Sequence, residues 1–123
     1  YLAQPFLSSI IDEGEFSLIY FGGQFSHAIR KTPKAGDFRS QEEFGSKLTS
    51  VPPDDSLMES ANRVIASLAQ LPLYARVDLV RHGDRFALME VELVEPALYL
   101  SKSPGAAERF ATAIQSALKL SSR

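Results

Sequence analysis

The sequence predicts an α+β fold, an antiparallel sheet with helices on one face, in the order β-β-loop-α-β-β-α. Three observations carry this. Two pairs of alternating apolar and polar runs are each joined by a short glycine-containing turn, which is the pattern of half-buried hairpins. Leu57, Ala61, Val64, Ile65 and Leu68 recur at helical spacing. A second helical stripe, Ala107, Phe110, Ile114 and Leu118, closes the chain. Strands in pairs with intervening helices give a sheet covered on one face, and leave the other face to line a cleft.

In chain order, residues 15–21 alternate and read as the first strand. Gly22-Gly23 supplies the turn, and residues 25–31 return beside it. Residues 32–49 are polar and without period, so they read as a long loop of the kind that is mobile or functional. Pro52-Pro53 ends it. Ser56 and Glu59 fit a capping box for the helix that follows, and Pro72 stops that helix. The second hairpin runs through Arg76-Val77-Asp78 and Glu90-Val91-Glu92, with Arg81-His82-Gly83-Asp84-Arg85 between them. Glu95-Pro96 ends its second strand. Ser103 as N-cap with Pro104 at the first position opens the last helix.

The second hairpin carries the chemistry. Residues two apart in a strand share a face, so Arg76 and Asp78 point one way, and Glu90 and Glu92 point one way on the partner. If Arg81 pairs with Arg85, Arg76 sits opposite Glu90; shifted by two, Asp78 sits opposite Glu90. Either register gathers the four polar side chains on one face, whereas a shift of one sets charged against apolar. Carboxylates this close repel unless protonated or bound to a cation. Oxygen ligands without cysteine favour Mg²⁺, Mn²⁺ or Ca²⁺ over zinc. The other reading is a solvated face with ion pairs through Arg76. Spacing alone leaves the two level.

Composition bounds the rest. The 123 residues suit one domain, 1–123, with a modest core. A net charge of -2 without a basic block gives no sign of nucleic acid, and no apolar run is long enough to cross a membrane. There are no cysteines, hence no disulfide, thiolate metal site or cysteine nucleophile. Without a signal peptide the cytoplasm is the expected location. The start at Tyr1, running directly into Leu2-Ala3-Gln4-Pro5-Phe6-Leu7, predicts a segment of a larger protein. His27 alternates with Phe25 and Ile29 in a hairpin strand and reads as a packed or surface imidazole, and His82, in the turn beside Gly83, has no ligand partner at metal spacing.

Four segments in order resemble the C-terminal lobe of the ATP-grasp superfamily. Ala3-Gln4-Pro5-Phe6-Leu7, with Ile10 and Asp12, is similar to the hinge strand of prokaryotic glutathione synthetase. Gly36-Asp37-Phe38-Arg39-Ser40-Gln41 resembles its phosphate-side loop and, more closely, that of the ribosomal-protein glutamate ligases. Val77-Asp78-Leu79 and Met89-Glu90-Val91-Glu92 resemble the two metal-binding strands. The resemblance spans about four-fifths of the chain.

The resemblance implies an ATP-dependent carboxylate–amine or carboxylate–thiol ligase that works through an acyl phosphate. It implies that Asp78, Glu90 and Glu92 hold Mg²⁺, with Mn²⁺ as a substitute, on the phosphates of ATP. Phe6 and Leu7 would meet adenine, Glu15 the ribose hydroxyls, and Lys31 and Arg39 the phosphates or the acyl phosphate. Arg76 would stabilise the transferring phosphoryl group or the oxyanion, as the matching arginine does in D-alanine–D-alanine ligase. Glu92 departs from the family's usual asparagine, and the residues after it depart from its Ser-Pro-Gly ending. The implied partners are ATP, a small carboxylate, an amine, and an N-terminal lobe that supplies the phosphate-binding lysines; a homo-oligomer is compatible. Alone, the chain is expected neither to bind ATP tightly nor to turn over. The rival readings are a non-catalytic ATP-grasp relative that binds nucleotide or a partner, and a small interaction domain whose acidic hairpin only resembles a metal site.

Overall fold

A computed structural model describes residues 3–40 and 45–121. Tyr1, Leu2 and Gln41, which the sequence analysis uses, lie outside the described residues. The elements are α1 (Ser9–Asp12), β1 (Glu15–Phe21), β2 (Gln24–Thr32), β3 (Lys47–Ser50), α2 (Asp55–Ala66), β4 (Tyr74–His82), β5 (Arg85–Glu92), a 3-10 turn (Leu100–Lys102) and α3 (Ala106–Ser121). The strands form one antiparallel sheet in the order β3-β2-β1-β4-β5. This is the expected α+β fold, with three short elements that the sequence did not signal, α1, β3 and the 3-10 turn. β3 occupies the end of the expected loop, pairing Lys47 to Ser50 with Thr32 to Ile29. Four residues are too few for a period to stand out.

Gly22 and Gly23 both have positive φ, 55° and 80°, as a two-residue hairpin turn whose twist matches the strands requires. Strand alternation then sorts side chains onto two faces. Phe16, Leu18, Tyr20, Ala75, Val77 and Leu79 face α2, which answers with Leu57, Ala61 and Ile65. The expected capping box is replaced by Asp54: after Pro53 its backbone is extended, and its carboxylate accepts from the Leu57 amide at 2.8 Å. Ser56 lies inside the first turn instead, where its carbonyl accepts from Ser60 Oγ.

The last helix takes the opposite face. Ile19, Phe21 and Ile29 leave an apolar end on that side of the sheet, and Leu98, Tyr99, Leu100, Phe110 and Ala113 cover it. Burial of that end draws α3 away from the α2 side, where the sequence analysis placed both helices. The inward stripe of α3 is Ala106, Phe110, Ala113 and Ala117, rotated from the expected one. Small alanines let the helix approach until Phe110 stacks on Phe21 at 4.8 Å between ring centroids. Ile114 and Leu118, expected inward, are exposed. No helix among the described residues is long and apolar enough to cross a membrane.

Candidate nucleotide and metal site

The β4–β5 register shows how the hairpin gathers its charges. His82 pairs with Arg85 across Gly83-Asp84, and Leu79 pairs with Leu88. That register would set Asp78 opposite Met89. A bulge beside Asp78 absorbs Met89 and resets the ladder, so Asp78 faces Glu90 and Arg76 faces Glu92. One extra residue on the bulged strand thus converts the unfavourable single-residue shift into the register in which Asp78 opposes Glu90. Bulges next to active sites commonly re-aim side chains in this way.

The charged groups form one network. Asp78 is 1% exposed and takes Ser17 Oγ at 2.6 Å on Oδ1. Arg76 donates to it through Nε at 3.1 Å and Nη2 at 2.8 Å. Arg76 also reaches Glu92 at 2.8 Å through Nη1 and Glu90 at 3.7 Å. Lys31 lies 2.5 Å from Glu15 and 3.4 Å from Asp78. Ser40 Oγ donates to the other Glu15 oxygen at 2.7 Å. Buried charges persist only when paired in this manner. Burial opposes the Arg76 charge, but its hydrogen bonds to Asp78 and the charges of Asp78 and Glu92 outweigh that and raise its pKa.

Four carboxylates here meet two cations, so the excess is negative, and it lies at the open rim. Partial burial and the neighbouring Glu92 and Asp78 charges raise the Glu90 pKa, while its side chain is 55% exposed. As the side chains lie, no three Asp, Glu, His or Cys groups among the described residues stand together to hold an ion; Arg76 pairs with each of Asp78, Glu90 and Glu92. The donor chemistry nonetheless fits a hard divalent cation: oxygen ligands only, uncompensated negative charge, and access from solvent.

Beside this network opens a cavity of about 300 Å³ lined by Phe6, Leu7, Ile10, Val80 and Met89, with Phe38, Arg39 and Ser40 along the loop side. Val80 lies two residues from Asp78, and Met89 precedes Glu90, so cavity and carboxylates adjoin. Of the expected site residues, Phe6, Leu7 and Arg39 line the cavity. Arg39 also forks onto Asp37 at 2.6 Å, which holds the Asp37 carboxyl well below the usual carboxylate range. Arg76, Asp78, Glu90 and Glu92 converge as expected. Glu15 and Lys31 do not line the cavity but belong to the charged network: they are buried against each other, Lys31 beside Asp78 and Glu15 behind Ser40. Sequence reasoning missed Ser17 and Val80, and named Ser40 and Met89 only as members of the matched segments, without a role. Pairing β1 with β4 would have placed Ser17 opposite Asp78.

Beyond Glu92 the chain crosses to α3 through two non-glycine residues in the left-handed region, Glu95 at φ 56° and Tyr99 at φ 49°. His27 ties this strap to β2: its Nε2 lies 2.9 Å from the Leu98 carbonyl and its Nδ1 2.8 Å from Ser26 Oγ. Arg109 of α3 donates to the same Ser26 hydroxyl.

No family model matches the chain. The cycloserine biosynthesis protein DcsG of Streptomyces lavendulae is 34% identical over 135 aligned positions, covering 96% of this chain and 42% of DcsG. The crystal structure of D-cycloserine synthetase DcsG matches with a TM-score of 0.78 at 32% identity, over 94% of this chain and 41% of that one. D-alanine–D-alanine ligase from Bacillus anthracis, complexed with ATP, shares the fold with a TM-score of 0.59 at 22% identity, over 86% of this chain and 38% of the ligase. The ATP-grasp ligase PsnB, complexed with a phosphomimetic variant of its minimal precursor, Mg and ADP, does so at 0.58 and 12% identity, over 82% and 32%. The chain therefore carries an ATP-grasp fold, over a stretch that corresponds to the C-terminal lobe of these ligases. It spans about two-fifths of the length of DcsG.

Proposed function

We propose that this chain is the nucleotide- and metal-bearing lobe of an ATP-dependent ligase that joins a small carboxylate to an amine or thiol. The observation that carries this is the contact of an apolar cavity with a negatively charged rim, through Val80 beside Asp78 and Met89 beside Glu90. A nucleoside triphosphate has the complementary form, a flat apolar base joined to phosphates that travel with a divalent cation. The likeness to DcsG, and the ATP and Mg bound in more distant ligases of the same fold, support it.

In this reading the base lies against Phe6, Leu7, Val80 and Met89, and Arg39 meets the phosphates from the loop side. Asp78, Glu90 and Glu92 would hold Mg²⁺, or Mn²⁺ in its place. The bound ion supplies neutralisation of the phosphate oxygens. A substrate carboxylate would attack the γ-phosphorus and ADP would leave; the amine or thiol would then attack the acyl carbon, lose its proton, and expel inorganic phosphate. Such transfer depends on positioning and charge more than on a protein nucleophile. Arg76, fixed by Asp78, carries the positive charge that the transferring group and the oxyanion need. Lys31 and Glu15 act from behind: Lys31 balances Asp78, and Glu15 orients Ser40 on the cavity wall. A second lobe preceding this one would supply the remaining phosphate contacts and exclude water.

The test is Glu90→Gln in the longer protein that carries this chain. The position is exposed, so stability should hold while ATP turnover falls by roughly 100-fold, the scale seen when one charge-stabilising group is removed. Undiminished turnover would refute the metal assignment. Binding of a partner without any ATP turnover in the unmutated protein would favour the non-catalytic reading.

A further inference from the structure

The wall of the cavity formed by Leu7 and Ile10 rests on α1, and α1 has little to hold it. The helix is 4 residues long and none of them is buried. Helices this short are unstable in water unless something docks them. One residue of the neighbouring strand does so at both ends. The carbonyl of Arg81 in β4 accepts a hydrogen bond from Ser9 Oγ, at the first residue of α1. The Arg81 guanidinium forks onto Glu13, just past the last residue, with Nε 2.7 Å from Oε2 and Nη2 3.1 Å from Oε1.

The same guanidinium is itself braced. It lies 3.5 Å from Asp54, the cap of α2, and 4.5 Å from the ring centroid of Phe86 in β5. Two carboxylates and an aromatic face suit a planar fork of donors, and an ammonium could not meet all three. Arg81 lines neither the cavity nor the carboxylate rim.

We propose that Arg81 is a positioning residue for the nucleotide cavity, fixing α1 against the sheet so that Leu7 and Ile10 form a wall for the base. This rests on the nucleotide reading of that cavity. Its side chain is 34% exposed, so the ion pair adds little to global stability. Its effect is local, on where α1 sits.

The experiment titrates the longer ¹⁵N-labelled protein that carries this chain with ADP, before and after Arg81→Met, and follows amide exchange in the same samples. Loss of a charged hydrogen-bonded pair that orders the wall should raise the ADP dissociation constant roughly ten-fold. The amides of Ile11, Asp12, Glu13 and Gly14, which bond back to Ser8 and Ser9, should exchange faster while those of β1 and β4 keep their protection. Arg81→Lys should restore only part of the affinity. Glu13→Gln, a milder change, should move both readings the same way, and it carries the test if Arg81→Met does not fold. Unchanged affinity and exchange in the variants would overturn the role of Arg81 and leave the nucleotide cavity standing. If ADP shifts no resonance of Leu7, Ile10 or Met89 in the unmutated longer protein, the nucleotide reading falls and the role of Arg81 falls with it.

Discussion

Asp78 and Glu90 face each other across one ladder step, yet they are held in opposite ways. Asp78 is enclosed by Ser17, Lys31 and Arg76, whereas Glu90 stands at the solvent edge with Arg76 at 3.7 Å. Neutralising Asp78 leaves two buried cations facing an amide, so Asp78→Asn should cost about 3 kcal/mol, as breaking buried pairs does. Glu90→Gln should stay within about 0.5 kcal/mol, as exposed substitutions do. Urea unfolding of the two variants measures both, and equal losses would contradict the division between an enclosed and an open carboxylate. The sequence showed that these residues share a face. It did not show which was buried, because burial comes from β1, 61 positions away. Nor did it show the bulge at Met89, since one extra residue leaves no mark on local composition.

Among the elements, the strap between β5 and α3 is the least legible in sequence and the most constrained in structure. Alternation, paired glycines and helical spacing sufficed for both hairpins and for α2, because each follows a local rule. The strap follows a distant one: it is held by His27, 71 positions away from Leu98. Hydrophobic spacing also chose the bulky side of α3, where close approach to Phe21 selects alanines. Burial lowers the His27 pKa, and the Arg109 charge acts in the same direction, against the Leu98 and Tyr99 carbonyls that favour the charged ring. The folded chain therefore takes up the proton less readily than the unfolded one. The stability this contributes is complete above the ordinary value of about 6.5 and is lost as pH falls through the lower, folded value. His27→Gln should flatten that part of the stability curve, read by thermal unfolding at a series of pH values. Parallel curves for the two proteins would contradict the tie.

At the scale of the molecule, the two faces of one sheet are used differently. The α2 side is closed by apolar packing. The other side is closed at one end by the strap and α3, and its remaining surface carries the buried ion network and the cavity. An ordinary α+β sheet buries both faces or solvates one. Here the uncovered part of the sheet is neither, because its charges are paired beneath and in excess at the rim. That arrangement is what the proposed nucleotide and metal roles require, and it sits in the part of the chain that matches ATP-grasp ligases. The most direct measurement is a titration of the longer ¹⁵N-labelled protein that carries this chain with Mn²⁺ and ADP, since a paramagnetic ion broadens only the resonances near it. Broadening that begins at Val77, Asp78, Glu90 and Val91, with ADP shifts at Leu7 and Met89, is the predicted result. Broadening confined to other acidic positions, or ADP shifts away from the cavity, would contradict the account.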